Sequence, residues 1–269
     1  MTRRDFAVTV GRNGGAELME RAKAWALQLD TGLLTRDRNI SLRDLLERHQ
    51  LQALVVSAAG GPQIFTEAGT FVYHPGMAVL RLQQLKRGGG DHLLAALGMK
   101  KGMRVFDGTL GLGADAAIIS WAAGETGSVT GTEASVLLHF ALSWGLSHYR
   151  AEDPELTAAL RRIRAVNAEA GEYLESCAAG SFDAVYFDPM FRRPVKGSSA
   201  MDGLRPLSFE RPLDERTIAA ALRAAPLVVI KERSEKILRE YGCTEFAGGR
   251  YSSFRFGIIR RQTWRRSKE

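Results

Sequence analysis

From Asp91 onward, short apolar runs alternate with helical patterns, and few folds accept that order. Arg104–Phe106, Ser128–Thr132, Ile163–Val166, Ala184–Phe187 and Leu227–Ile230 read as strands. Asp115–Ala123, Leu137–Leu146 and Pro154–Leu160 read as helices between them. Apolar strands separated by crossover helices make a parallel sheet covered on both faces. Thr244–Phe246 and Phe254–Ile259 then suit an antiparallel edge pair. The expected class is α/β, a doubly wound Rossmann-like sheet.

The residues before Gly88 follow another rhythm and predict a small α+β unit. Phe6–Val10 reads as a strand and Ala16–Leu29 as a helix with Leu18, Ala22, Trp25, Ala26 and Leu29 on one face. Ser41 is placed to cap a helix through Leu42, Leu45 and Leu46, with Asp44 completing a capping box. Leu54–Val56, Gln63–Thr66 and Thr70–Tyr73 are short strands, and a helix through Leu80, Leu82 and Leu85 stops at Gly88-Gly89-Gly90. The expected organisation is therefore 1–87, a core from 88 to 260, and a basic tail, 261–269.

Bulk properties narrow the partners. The 269 residues carry a formal charge of +7, which favours a polyanion without naming one. Arg260, Arg261, Arg265, Arg266 and Lys268 surround Trp264, and fit an RNA-contacting tail or a solvated terminus equally. Cys177 and Cys243 stand far apart with no metal-type spacing, so no metal site is expected. No apolar stretch approaches bilayer length and no cleavage-type signal follows the start, which reads as a cytoplasmic chain without membrane contact.

The sharpest local signal is Val105-Phe106-Asp107-Gly108-Thr109-Leu110-Gly111-Leu112-Gly113-Ala114-Asp115. A strand ends at an acid, passes through glycines and enters a helix, which lets main-chain amides approach a ligand. Glu133, 26 residues beyond Asp107, closes the next strand, where a carboxylate accepts both ribose hydroxyls of a nucleoside cofactor. A dinucleotide enzyme satisfies the same pattern, since Gly111, Gly113 and Ala116 fit G-x-G-x-x-A. No Gly-Lys-Ser/Thr follows, which argues against a triphosphate loop.

A second signal is Asp188-Pro189-Met190-Phe191, directly after the fourth strand. The acid and the proline carbonyl can accept from an exocyclic amine, and Phe191 can stack on a flat base. Such an amine is a weak nucleophile, so holding it in line with a methyl sulfonium is useful chemistry. The plainer alternative is a turn in which Asp188 caps a helix and Phe191 fills the core.

Together these stretches resemble the two main motifs of the bacterial small-subunit ribosomal RNA guanine-N2 methyltransferases, a 16S rRNA family. The likeness runs on through Lys196-Gly197-Ser198-Ser199-Ala200-Met201, Val228-Val229-Ile230-Lys231 and Gly89-Gly90, covering about Gly88 to Ile259. The resemblance implies a class I methyltransferase fold, S-adenosylmethionine as donor (S-adenosylhomocysteine as product), and transfer of one methyl group to a guanine 2-amino group. It places Asp107, Thr109, Gly111 and Gly113 on the methionine and ribose side, with Glu133 at the ribose. Asn167 or Glu169 would meet the adenine amine, and Asp188 would orient the acceptor, beside Pro189 and Phe191. Two departures stand out: the segment to about Gln84 is closer to the family's uncharacterised relatives, and Arg192-Arg193-Pro194 replaces the usual residues after the phenylalanine.

Arg192, Arg193 and Lys196 adjoin the acceptor loop, and Lys231 ends a strand at the same sheet edge. These cations suit phosphates flanking a target base, with Ser198 and Ser199 adding hydrogen bonds; a solvated basic loop is the alternative. Lys231 can instead pair with Glu232 or another carboxylate. The expected partner is ribosomal RNA or the small ribosomal subunit, and the expected role is in rRNA processing. Competing readings are methylation of a DNA base, a glutamine or a small metabolite, a NAD-dependent oxidoreductase, and an RNA-binding protein with a decayed donor pocket.

Overall fold

The computed structural model describes residues 5–12, 14–37, 39–189, 212–249 and 253–264. In chain order its elements begin with β1 (Phe6–Val10), α1 (Ala16–Gln28), α2 (Leu42–His49), β2 (Ala53–Ala58), β3 (Gly61–Thr66), β4 (Gly69–Val72) and α3 (Met77–Lys86). Next come α4 (His92–Leu97), β5 (Arg104–Asp107), α5 (Ala114–Ala123), β6 (Ser128–Thr132), α6 (Val136–His148), α7 (Pro154–Arg161) and β7 (Ile163–Val166). The last are α8 (Ala170–Ser176), β8 (Ala184–Phe187), α9 (Glu215–Ala224), β9 (Leu227–Glu232), α10 (Glu235–Glu240), β10 (Glu245–Ala247) and β11 (Arg255–Arg260). Helices α8, α9 and α10 were not expected from the sequence.

Two compact units form, and their boundaries differ from the sequence expectation. The chain divides between His74 and Pro75, so α3 lies with the second unit, whereas Ser135–His148, and thus α6, lies with the first. Pairing explains the first shift: Arg81 of α3 binds Asp91 and Asp115. The tail expectation also changes. The amide of Arg261 donates to Pro226 O at 3.0 Å, and Trp264 packs on the second unit's core. Residues 261–264 therefore belong to the fold.

The first unit is a four-stranded sheet, β1-β2-β3-β4, with β1 parallel to β2 and the other pairs antiparallel. The parallel pair is buried along both strands, as a crossover connection requires. Ser41 Oγ accepts from the Asp44 amide and Asp44 Oδ2 accepts from the Ser41 amide, so the capping box starts α2. Trp25 of α1 meets Phe140 of α6 edge-on at 5.4 Å. Gly61, at φ +113°, leaves room for the ring of Trp144, which any β-carbon there would overlap.

The second unit holds a seven-stranded sheet in the order β10-β11-β9-β8-β5-β6-β7. The five strands from β9 to β7 are parallel, and β11 and β10 add an antiparallel edge. This is the doubly wound class I methyltransferase arrangement. Alternate residues take opposite faces. Phe106, Val185, Phe187, Val228 and Ile230 pack with Leu174, Ile218, Leu222 and Leu238 of α8, α9 and α10. Strand order runs outward from β5 in both directions, so the β5–β8 junction is the topological switch point, where such sheets bind ligands at the strands' carboxyl ends.

Gly131 of β6 shows how tightly that junction is filled. A β-carbon there would stand 2.7 Å from Leu110 Cδ1 and 3.0 Å from Asp107 O. Gly131→Ala is expected to destabilise the protein by about 1–3 kcal/mol, since backbone on one side cannot yield. Urea unfolding with an unchanged midpoint would contradict this.

Candidate active site

The carboxyl ends of β5 and β8 bring together the two signals read from the sequence. Past Asp107 the chain turns through Gly108, whose β-carbon would overlap the Phe187 ring. The Gly108 amide donates to Tyr186 O at 2.9 Å and the Leu110 amide to Thr132 O at 3.0 Å, tying the loop to both neighbouring strands. Gly111 and Gly113 take φ values of 51° and 72°, the left-handed region, and Gly113 leads directly into α5.

Thr109 is the junction's fastener. Its amide donates to Asp107 Oδ1 at 3.0 Å, and its hydroxyl oxygen accepts the Asp188 amide at 2.6 Å. Asp107 and Asp188 are thus both set by one residue. Asp107 is almost wholly buried, and burial pushes its carboxyl up to about 7; Asp115 and Asp188 add to the rise, against the Thr109 amide.

Asp188 sits just beyond β8, followed by Pro189, both partly exposed. Burial raises the Asp188 carboxyl to about 6, against the opposing pull of Lys231 and with a further push from Asp115. Lys231 Nζ lies 2.7 Å from Asp188 Oδ2 and 3.5 Å from Asp115 Oδ2. Of the two fates open to Lys231, the structure shows pairing, though with these carboxylates. Glu232 Oε1 instead accepts from the Arg233 and Ser234 amides at 2.6 and 3.4 Å.

Asp115, the last residue of the glycine motif, had no role in the sequence reading. It accepts from the Tyr186 hydroxyl at 2.9 Å and pairs with Arg81, whose Nε lies 2.8 Å from Asp91 Oδ2. Burial would raise the Asp115 carboxyl, but Lys231 and Arg81 outweigh it and hold it below its ordinary value. The one clue in the sequence was an acid in the first turn of a helix; Arg81, 34 residues upstream, gave none.

The other expected cofactor residues lie on neighbouring strand ends. The Glu133 amide donates to Val166 O at 3.0 Å, joining the ends of β6 and β7. Asn167 Nδ2 donates to the carbonyls of Glu133 and Ala134 at 2.8 and 3.2 Å, which locks the same corner. Glu169 caps α8, its Oε2 accepting from the Glu172 amide at 2.9 Å. Phe191, Arg192, Arg193, Lys196, Ser198 and Ser199 lie outside the described residues, as do Met190 and the tail beyond Trp264.

These residues fit S-adenosylmethionine. A β-carbon on Gly111 would meet only Thr109 O within 4 Å, so the loop has room for a ligand there; Glu133 stands at the second strand's end, and the acids Asp107 and Asp188 suit a cationic sulfonium. Gly111, Gly113 and Thr109 would hold the methionine portion and Glu133 the ribose.

A family model described as "Putative SAM-dependent methyltransferase" matches residues 67–208. The uncharacterized protein YpiP of Bacillus subtilis is 32% identical over 257 residues, covering 95% of each chain. Ribosomal RNA small subunit methyltransferase J of Laribacter hongkongensis is 35% identical over 127 residues, 46% of this chain and 43% of that one. The protein of the same name in Stutzerimonas stutzeri is 28% identical over 186 residues, 68% and 67% of the two chains. The fold is shared with the SAM-dependent methyltransferase NGO1261 of Neisseria gonorrhoeae, at a TM-score of 0.60 and 15% identity over 94% of this chain and 95% of that one. The chain belongs to the S-adenosylmethionine-dependent methyltransferase family.

Proposed function

We propose that this methyltransferase modifies a guanine 2-amino group in small-subunit ribosomal RNA. The observation that carries the reading is the Asp188-Pro189 end of β8, fastened through Thr109 to the glycine loop. The relatives named for small-subunit rRNA methylation, and the excess of 37 Lys and Arg over 30 Asp and Glu, support the same substrate. Arg192, Arg193 and Lys196 follow directly in sequence, where cations serve the phosphates of a base turned into the pocket.

The donor supplies an electrophilic methyl group on a sulfonium. Asp188 accepts a hydrogen of the guanine amine, and the Pro189 carbonyl accepts the other. Electron density returns to the nitrogen as its hydrogens are held, and the nitrogen is kept facing the donor. A carboxyl near 6 is ionised at neutral pH yet basic enough to receive the proton that nitrogen sheds as its new bond forms. Asp107 and Glu133 serve the donor side.

Purified protein given radiolabelled S-adenosylmethionine and unmodified small-subunit RNA, naked or assembled, is expected to yield labelled N2-methylguanosine. Label only in a DNA base, a glutamine or a small amine would replace the substrate assignment. Asp188→Ala should lower kcat by roughly 10²- to 10³-fold, as for loss of a group acting in the transition state, while calorimetric affinity for S-adenosylhomocysteine stays near wild type. Full turnover in that variant would remove Asp188 from the mechanism. Glu133→Ala should weaken donor affinity by about 10- to 100-fold, the scale of a charge-assisted hydrogen bond. Equal affinity would separate Glu133 from the ribose.

Acidity gives an independent check. Protonation of Asp188 below about 6 removes its acceptor role, so kcat/KM should fall tenfold per unit on that side and level off above. A profile flat through this range would contradict the assignment. Asp107, near 7, is read separately as donor affinity that strengthens as pH rises, because its anion favours a cationic ligand.

A further inference from the structure

Lys231 is where the geometry departs most from an RNA-gripping role. Its side chain is only 17% exposed, and its ammonium stands between Asp188 Oδ2 and Asp115 Oδ2. The Phe254 ring lies against it, with the centroid 4.8 Å from Nζ. An ammonium engaged on two carboxylates and an aromatic face has little left to offer a phosphate. Asp115 is no passive counterion either, since Arg81 and the Tyr186 hydroxyl fix it from two further elements.

We propose that Lys231 is a positioning residue for methyl transfer: it holds the Asp188 carboxylate charged and in place, and Asp115, clamped by Arg81 and Tyr186, aims it. The inference rests on the role of Asp188 given above. One Asp188 oxygen is occupied by Lys231, which leaves the other for the acceptor amine. The chain of contacts runs from Asp91 through Arg81 and Asp115 to Lys231 and Asp188, so α3 and α5 brace a loop at the end of β8.

The charged and titratable groups around Asp188 come from five elements and their flanks. Lys231 on β9 favours the anion, whereas Asp107 on β5 and Asp115 on α5 oppose it. Glu232, also on β9, opposes it from a position turned toward the Arg233 and Ser234 amides. Tyr186 on β8 and Arg81 on α3 act through Asp115. Lys231 is thus the cation in direct contact among the described residues, and its loss leaves three acids around a half-buried carboxyl.

The test is a carbon NMR titration of aspartate side chains in the full-length protein, with the Asp188 signal assigned by its absence in Asp188→Asn. In Lys231→Met the Asp188 midpoint should rise by about 1–3 pH units, the usual effect of a directly contacting opposite charge. Lys231→Arg should restore it, because the charge is kept. Lys231→Gln takes the place of Met if that variant does not fold. In turnover with RNA, Lys231→Met should lower kcat at neutral pH with little change in the RNA KM, and its acid limb should follow the NMR midpoint. An unmoved midpoint, or a raised RNA KM with a salt dependence shallower by about one unit, would overturn the proposal and make Lys231 a phosphate contact. The titration needs no substrate, so a shifted midpoint in a protein that methylates no RNA would leave this inference standing and remove the substrate assignment instead.

Discussion

The parallel pairing of β5 with β8 carries the rest of the site. These strands lie about eighty residues apart in the chain, yet Asp107 stands opposite Tyr186. That register brings the Asp107 loop alongside Asp188, where Thr109 can serve both: its amide turns the first acid and its hydroxyl receives the amide of the second. A slip of one residue would send Tyr186 to the helix face now held by Val185 and Phe187, and would strand Asp115 without its phenol. The register is therefore fixed as much by a polar network on one face as by the apolar core on the other.

That network runs against the usual preference for an apolar interior. Asp107, Asp115 and Asp188 gather with Arg81 and Lys231 at one sheet edge, and burial pushes all three carboxyls toward the neutral form. Mutual pairing keeps Asp115 ionised, whereas Asp107 and Asp188 are left near the middle of the physiological range. Under the proposed mechanism, such a division suits a site that welcomes a positive donor and then takes up a proton. Asp115 touches two cations, Asp188 one and Asp107 none, and their carboxyls are ordered accordingly.

Much of this was legible in the sequence because local patterns recorded it. The strand periods, the capping box at Ser41 and the glycine turn after Asp107 each follow from a few adjacent residues. The helices α8, α9 and α10 were less visible, being short or set among mixed residues, although Asp214 and Ser234 do cap the latter two. Arg81 and Tyr186 left no trace, since their meaning depends on partners 34 and 71 residues away. Lys231 was noticed for its place at the sheet edge, but an edge lysine faces carboxylates or phosphates equally well until the neighbours are known. The allegiance of α6 was illegible for the same reason: its sequence says it is apolar, and only the strands around Gly61 and Tyr73 say where it goes.

The discontinuous make-up of the first unit bears on synthesis. Strands β1 to β4 leave the ribosome early, but the helix that meets Trp25 and sits over Gly61 follows only after β5 and β6 have emerged. The nascent chain must hold a four-stranded sheet with an open apolar face while it makes two strands of another sheet, both rich in unpaired edge. The first unit therefore closes only after residues 75–134 of the second have been made. A chaperone that shields exposed sheet would find its work concentrated in the interval before residue 148 appears.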